Sequence, residues 1–203
     1  MLTKGATNQR VVALTFDAGS DPGYTSQILA ELANQHIPAT FGITGLWAQA
    51  NPDLVRRIAA AGHQIVNHSW DHQSFTGTST NAPPLTAAQI SQELSRTDSL
   101  IWQLTGTGSA GWFRPPYGDR NLAVDAAAGA AGYRWELMWT VDTLGWKGAT
   151  PATVVQRALG ALSPGEIILM HVGSASTDAA ALPAVISAIQ ARGYSFVTVS
   201  HLA

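Results

Sequence analysis

Five positions combine a reactive side chain with the same local setting. Asp17, His68, Arg114, Asp142 and His171 each stand at or just past the C-terminal end of a short apolar run. A carboxylate, a guanidinium and several imidazoles are the parts of a hydrolytic site. His68 and His72 lie four residues apart in His68-Ser69-Trp70-Asp71-His72, a spacing that on a helical turn brings both imidazoles to one face, as two ligands of one metal. In that chemistry the metal polarises an acyl oxygen and its water, Asp17 removes a proton and His171 protonates the leaving group. Arg114 supplies the cation that holds Asp17 ionised. Singly, each residue has a plainer role: Asp17 as a turn acid, Arg114 as its salt-bridge partner, His171 as a strand-end histidine. Their shared placement favours the site. His36, His63 and His201 lack such a setting and read as loop or helix-end residues.

The elements that must position these groups follow from the hydropathy pattern. Val11 to Asp17 is apolar and β-branched, and reads as a strand buried on both faces. Further strands are expected at 39–43, 64–67, 112–114, 133–139, 166–171 and 194–199. Helical spacing is expected at 25–35, from Asn51-Pro52 to Gly62, at 86–104, at 121–131, from Thr150-Pro151 to Leu162, and at 178–192. Residues 74–84, rich in Ser, Thr and Gly, form a loop. Strands alternating with helices imply βαβ units and a parallel sheet. About seven strands fall short of a complete eight-fold barrel. If the sheet curls like a barrel, the five polar strand ends share one rim.

The 203 residues suit a single domain spanning 1–203. A net charge of -2 and only 12% charged residues leave no basic footprint, which argues against a nucleic-acid partner. No run reaches the ~18 apolar residues of a membrane span, and no charged-then-apolar leader opens the chain. Without cysteine there are no disulfides, thiolate metal sites or Cys nucleophile.

Five short motifs in order resemble those of the polysaccharide deacetylases of carbohydrate esterase family 4, the NodB-homology domain. They are Thr15-Phe16-Asp17-Ala18-Gly19, His68-Ser69-Trp70-Asp71-His72, Arg114-Pro115-Pro116-Tyr117, Asp142-Thr143-Leu144-Gly145-Trp146 and Leu169-Met170-His171. The resemblance runs from about Val11 to Val199. It implies a deformed (β/α) barrel of about seven parallel strands that removes acetyl groups from N- or O-acetylated sugars with a divalent metal, usually zinc, with cobalt or another divalent ion as alternatives. It further implies Asp17 as catalytic base, Arg114 as its orienting partner and His171 as catalytic acid. The Tyr117 backbone N–H would serve the oxyanion, and Trp146 and Leu169 would wall the acetyl pocket. Trp70 and Phe75 are candidates for stacking on sugar rings or for plugging the rim. Residues 73–84 and 145–150 would shape substrate choice. An acetylated chitooligosaccharide, peptidoglycan or xylan is the expected partner, a monomer the expected state, and the cell envelope or exterior the expected location.

Two positions depart from the family pattern. The metal-binding acid of the first motif is replaced by Ala18, so the usual Asp-His-His set lacks one member. Asp21 in the same loop is the nearest substitute, with Asp17, Asp71 or water behind it. The acid that often precedes the tryptophan of the fourth motif is Gly145, which leaves Asp142 as that motif's one acid. A carbohydrate-binding domain that has lost its full metal site is the rival reading that Ala18 favours.

Overall fold

A computed structural model of the protein describes residues 1–160 and 162–203. Eight strands pair in parallel throughout: β1 (Val11–Ala18), β2 (Thr40–Ile43), β3 (Gln64–Asn67), β4 (Trp112–Phe113), β5 (Trp135–Glu136), β6 (Val141–Asp142), β7 (Glu166–His171) and β8 (Ser195–Phe196). Seven follow the order β5-β4-β3-β2-β1-β7-β6, and β8 pairs with the beginning of β1. The sheet curls into a deformed (β/α) barrel. Residues 2–5 run between its edges: Leu2 N–H donates to Glu136 O, Met138 N–H to Leu2 O, and Gly5 N–H to Gly165 O.

Among the described residues seven α-helices complete the βαβ alternation: α1 (Thr25–Asn34), α2 (Gly45–Ala50), α3 (Pro52–Ala60), α4 (Ala87–Thr105), α5 (Leu122–Ala130), α6 (Pro151–Gly160) and α7 (Asp178–Gln190). Their apolar faces pack on one side of the sheet, with Ile28, Leu32, Val55, Ile58, Leu182 and Val185 meeting Val12, Leu14 and Phe16 of β1. The alternate β1 residues, Ala13, Thr15 and Asp17, turn the other way. They lie level with Ile167, Leu169 and His171 of β7, so the barrel interior changes from apolar at its floor to polar at the C-terminal rim.

Most expected elements appear within a residue or two, and the differences have physical causes. The 133–139 run forms only the short β5, because Leu137 bridges to Leu2 instead of extending the ladder. The polar stretch after it supplies β6, which raises the strand count from about seven to eight. The short α2 carries no 3.6-residue signature; it starts where the Thr44 side chain accepts from Trp47 N–H. The last strand is only β8, since the chain turns into a short 3₁₀ segment at Val199–His201. α6 is described to Gly160; the expected continuation to Leu162 crosses residue 161, which lies outside the described residues.

Candidate active site

Adjacent strands bring the acid and the imidazole together. Asp17 and His171 are register partners on β1 and β7, so their side chains rise from one row of the barrel interior. Gly42 is the row's neighbour on β2, and a Cβ there would stand 2.5 Å from Asp17 Oδ1. The glycine leaves room for the carboxylate.

Arg114, just past β4, reaches that carboxylate through the interior. Its Nη1 donates to Asp17 Oδ1 at 2.6 Å, and Nη2 donates to Thr15 Oγ1 at 3.0 Å and to Met138 O at 3.3 Å. Arg114 is wholly buried and Asp17 is 8% exposed. Burial pushes the Asp17 carboxyl up, but the Arg114 cation, helped by the neighbouring imidazoles and the Arg114 hydrogen bond, holds it below the usual carboxylate range. Asp17 is therefore an ionised acceptor at neutral pH.

The histidine loop leaves β3 in a constrained path. Asn67 Nδ2 donates to Leu94 O and Tyr133 Oη, and its Oδ1 accepts from Ser69 N–H. Glu93 of α4 accepts from Trp70 N–H at 2.8 Å and from Asp71 N–H at 3.3 Å. Ser69 and His72 take positive φ angles of 67° and 64°. Tyr117 and Leu144, at 61° and 60°, do the same elsewhere on the rim. Of these four, His72 and Tyr117 line the cleft directly, and Ser69 and Leu144 lie in the loops that carry its lining residues. Such backbone costs ~1–3 kcal/mol per residue and persists where surrounding contacts enforce it.

His68 Nδ1 lies 2.8 Å from Arg114 O. A carbonyl only accepts, so Nδ1 carries the hydrogen and Nε2 keeps its lone pair, 3.4 Å from Asp17 Oδ2. Burial lowers the pKa of His68, and it lowers that of His72, aided by the proximity of His68, to about 4. Two neutral imidazoles, with ring centres 4.8 Å apart, therefore share the cleft. Neutral imidazole with its far nitrogen tied to a carbonyl is the ligand form for a divalent cation. The donor set fits such an ion as an imidazole pair, one protein ligand short of the three usual at zinc.

Asp21, the candidate for the third, is engaged by other partners in this structure. Its carboxylate accepts from Ser174 N–H and Ser174 Oγ, each at 3.0 Å, and its carbonyl accepts from Trp47 Nε1. Asp21, expected from the sequence to join the histidines, here ties the loop after β1 to the loop after β7. Among the described residues no three His, Asp or Glu side chains are grouped to hold a metal. Ala18 is buried in the apolar core.

The cleft encloses about 310 Å³ and is lined by Asp17, His68, His72, Tyr117, Trp146, Leu169 and His171, among others. Leu169 is buried in its wall, whereas Tyr117 and Trp146 are 49% and 45% exposed at its mouth. The Tyr117 ring packs against His72, with centroids 4.5 Å apart. Its backbone N–H is the first amide donor after Pro115 and Pro116, which have none. Asp142 also lines the cleft, but its Oδ1 accepts from Leu144 N–H and its Oδ2 from Trp146 Nε1. The one acid left in the fourth motif thus engages its own loop and the Trp146 indole. Trp70 and Phe75 are buried, which decides for rim plugs over sugar platforms.

A family model described as polysaccharide deacetylase matches residues 4–135. The chain belongs to this family. The peptidoglycan-N-acetylglucosamine deacetylase PgdA of Listeria monocytogenes is 34% identical over 199 residues, 98% of this chain and 40% of that protein. The chain thus spans well under half of the length of that relative. A chitooligosaccharide deacetylase of Rhizobium leguminosarum bv. trifolii is 32% identical over 95% of this chain and 91% of its own. The barrel also superposes, with a TM-score of 0.88 and 29% identity, on a CE4 family pseudoenzyme from Bacillus anthracis, covering 98% of this chain and 67% of that one. The deacetylase fold therefore accompanies both chemistry and its loss, and the distinction rests on side chains.

Two groups that hold this site were not singled out from the sequence. Glu93 lies mid-helix with ordinary spacing, and Asp178 at the start of α7 lies outside all five motifs. An acid opening a helix is common enough to carry no signal by itself.

Proposed function

We propose that the protein is a hydrolase that removes acetyl groups from an N- or O-acetylated carbohydrate of the cell envelope or its surroundings. The observation that carries this is the pairing of Asp17 and His171 on adjacent strand ends, facing a cleft that also holds two neutral imidazoles. A binding module has no use for an ionised carboxylate backed by a buried arginine, opposite a second titratable group.

His68 and His72 are the residues that would hold a divalent cation, zinc or cobalt. Such an ion, when bound, supplies electrophilic polarisation of the acyl oxygen. Asp17 accepts the proton of the attacking water, and Arg114 keeps Asp17 in the form able to do so. The Tyr117 N–H donates to the oxygen on which negative charge develops. His171 gives a proton to the departing nitrogen or oxygen as its bond to the acyl carbon breaks. Leu169 and the Trp146 ring enclose the methyl group. Trp146 is held by Asp142 and lies with its ring centre 5.9 Å from that of His171.

The second reading is a carbohydrate-binding domain with a weakened metal site. Ala18 and the engagement of Asp21 by Ser174 favour it. Acetate release separates the two. Chelator-stripped protein is assayed on N-acetylchitooligosaccharides, peptidoglycan fragments and acetylxylan, with zinc, cobalt or nothing restored. The enzyme reading expects metal-restored acetate release that His68→Ala abolishes. Sugar binding with no acetate from any substrate or metal would leave the binding domain.

A further inference from the structure

We infer that Asp178, in the first turn of α7, is the positioning residue for His171. It holds the imidazole through Nδ1 and leaves the ring's other edge to the cleft.

Asp178 is fully buried, and its carboxylate is fixed from several directions. Oδ1 accepts from Thr143 Oγ1 at 2.7 Å; Oδ2 accepts from Ser176 Oγ and from the backbone N–H of His171, both at 2.8 Å. All three are neutral donors. A buried carboxylate is costly without a positive partner, and among the described ion pairs its partner is His171, with Nδ1 3.8 Å from Oδ2. That nitrogen is buried and has no hydrogen-bond partner among the described residues. The separation is long for a hydrogen bond, as such contacts often are before substrate is bound. His171 itself lines the cleft.

The other charged groups around His171 are differently engaged. Asp17 on β1 is bound by Arg114 and faces His68. His68 and His72 come from the loop after β3. Asp142 is held by Leu144 N–H and Trp146 Nε1. Asp178 is thus the carboxylate directed at Nδ1. The surrounding chain leaves space for it: a Cβ built on Gly145 would collide with the Asp178 carboxylate. Positions 145 and 178 therefore address the same volume from two elements, and a carboxylate fits from only one of them at a time.

This inference rests on the hydrolase reading for its catalytic consequence. Doubly protonated His171 would pass its Nε2 proton to the leaving atom as the acyl bond breaks, retain Nδ1–H toward Asp178, and end as the neutral Nδ1–H tautomer. Without Asp178 the neutral ring is free to take the other tautomer or to turn away.

The test compares native protein, Asp178→Asn, Asp178→Ala and Gly145→Asp/Asp178→Ala, all zinc-restored, on an N-acetylchitooligosaccharide. Imidazole nitrogen NMR reads the His171 tautomer in each. Native His171 is expected as the Nδ1–H form. Asp178→Ala is expected to shift that balance and to lower kcat on the order of tenfold or more, with KM within about twofold. Gly145→Asp in the same background is expected to restore both in part. An unchanged tautomer and kcat in Asp178→Ala would overturn the assignment, as would a double variant no better than the single. If Asp178→Ala fails to fold, Asp178→Asn keeps the volume and makes the same comparison. Should native protein release no acetate, the hydrolase reading falls, while the tautomer measurement still decides whether Asp178 holds His171.

Discussion

Arg114 takes a full charge into an interior lined by Thr15, Leu137 and Met138, and Asp17 is the anion that makes this tolerable. Arg114 is wholly buried and Asp17 meets solvent only at the cleft, so the pair behaves as one unit. Arg114→Met is therefore expected to destabilise the fold by about 3–5 kcal/mol, because it strands a buried carboxylate. Adding Asp17→Asn to Arg114→Met is expected to recover part of that loss, since no bare charge then remains. Urea unfolding of the two single variants and the double variant measures the coupling. Additive losses would show that the two side chains do not act as a pair.

At the scale of elements, α4 controls the histidine loop. Its N-terminus is set by a capping box in which Thr86 accepts from Gln89 N–H and Gln89 Oε1 accepts from Thr86 N–H. Six residues into the helix, Glu93 takes two backbone N–H groups of the loop, and Leu94 O receives Asn67. Burial pushes the Glu93 carboxyl above its ordinary range, partly offset by the N–H donors. Glu93→Ala removes the shared acceptor of both N–H groups and releases a backbone already strained at Ser69 and His72. Its affinity for zinc is expected to fall about 10–100-fold, the usual effect of losing an outer support. Competition against a chromophoric chelator gives the number. An unchanged affinity would mean that the loop holds its shape unaided.

For the molecule as a whole, the end of the barrel opposite the cleft carries a buried acid of its own. Glu166 opens β7 at the floor, is fully buried, and accepts from Ser163 N–H through Oε2 while Oε1 has no partner among the described residues. Burial pushes its carboxyl from an ordinary 4.5 up to about 7. Between those values the folded protein binds more protons than the unfolded chain, so stability falls as pH rises through this window and stays lower above it. Glu166→Gln is expected to remove that slope and to raise the melting temperature more at pH 8 than at pH 5. Thermal unfolding across pH 4.5–8 tests it. A parallel offset of the two curves would show that Glu166 is not the titrating group.

The sequence alone determined the strands and helices with strong periodicity, and it determined which strand ends carry reactive groups. Those signals are local: β-branched runs, the helix starts at Asn51-Pro52 and Thr150-Pro151, and side-chain type at a strand's end. That Asp17, His68, His72 and His171 line one cleft, with Arg114 buried behind Asp17, follows from parallel strands putting their C-terminal ends on one rim. Tertiary structure decided what those groups touch. Asp21 is near Ala18 in sequence, yet Ser174, from the far end of the chain, claims its carboxylate. Asp142 belongs to the expected motif yet orients Trp146, and the carboxylate at His171 comes from α7. Sequence spacing limits which residues can meet. A carboxylate accepts from whichever donors the packed elements present to it, and that competition is settled only when the barrel closes.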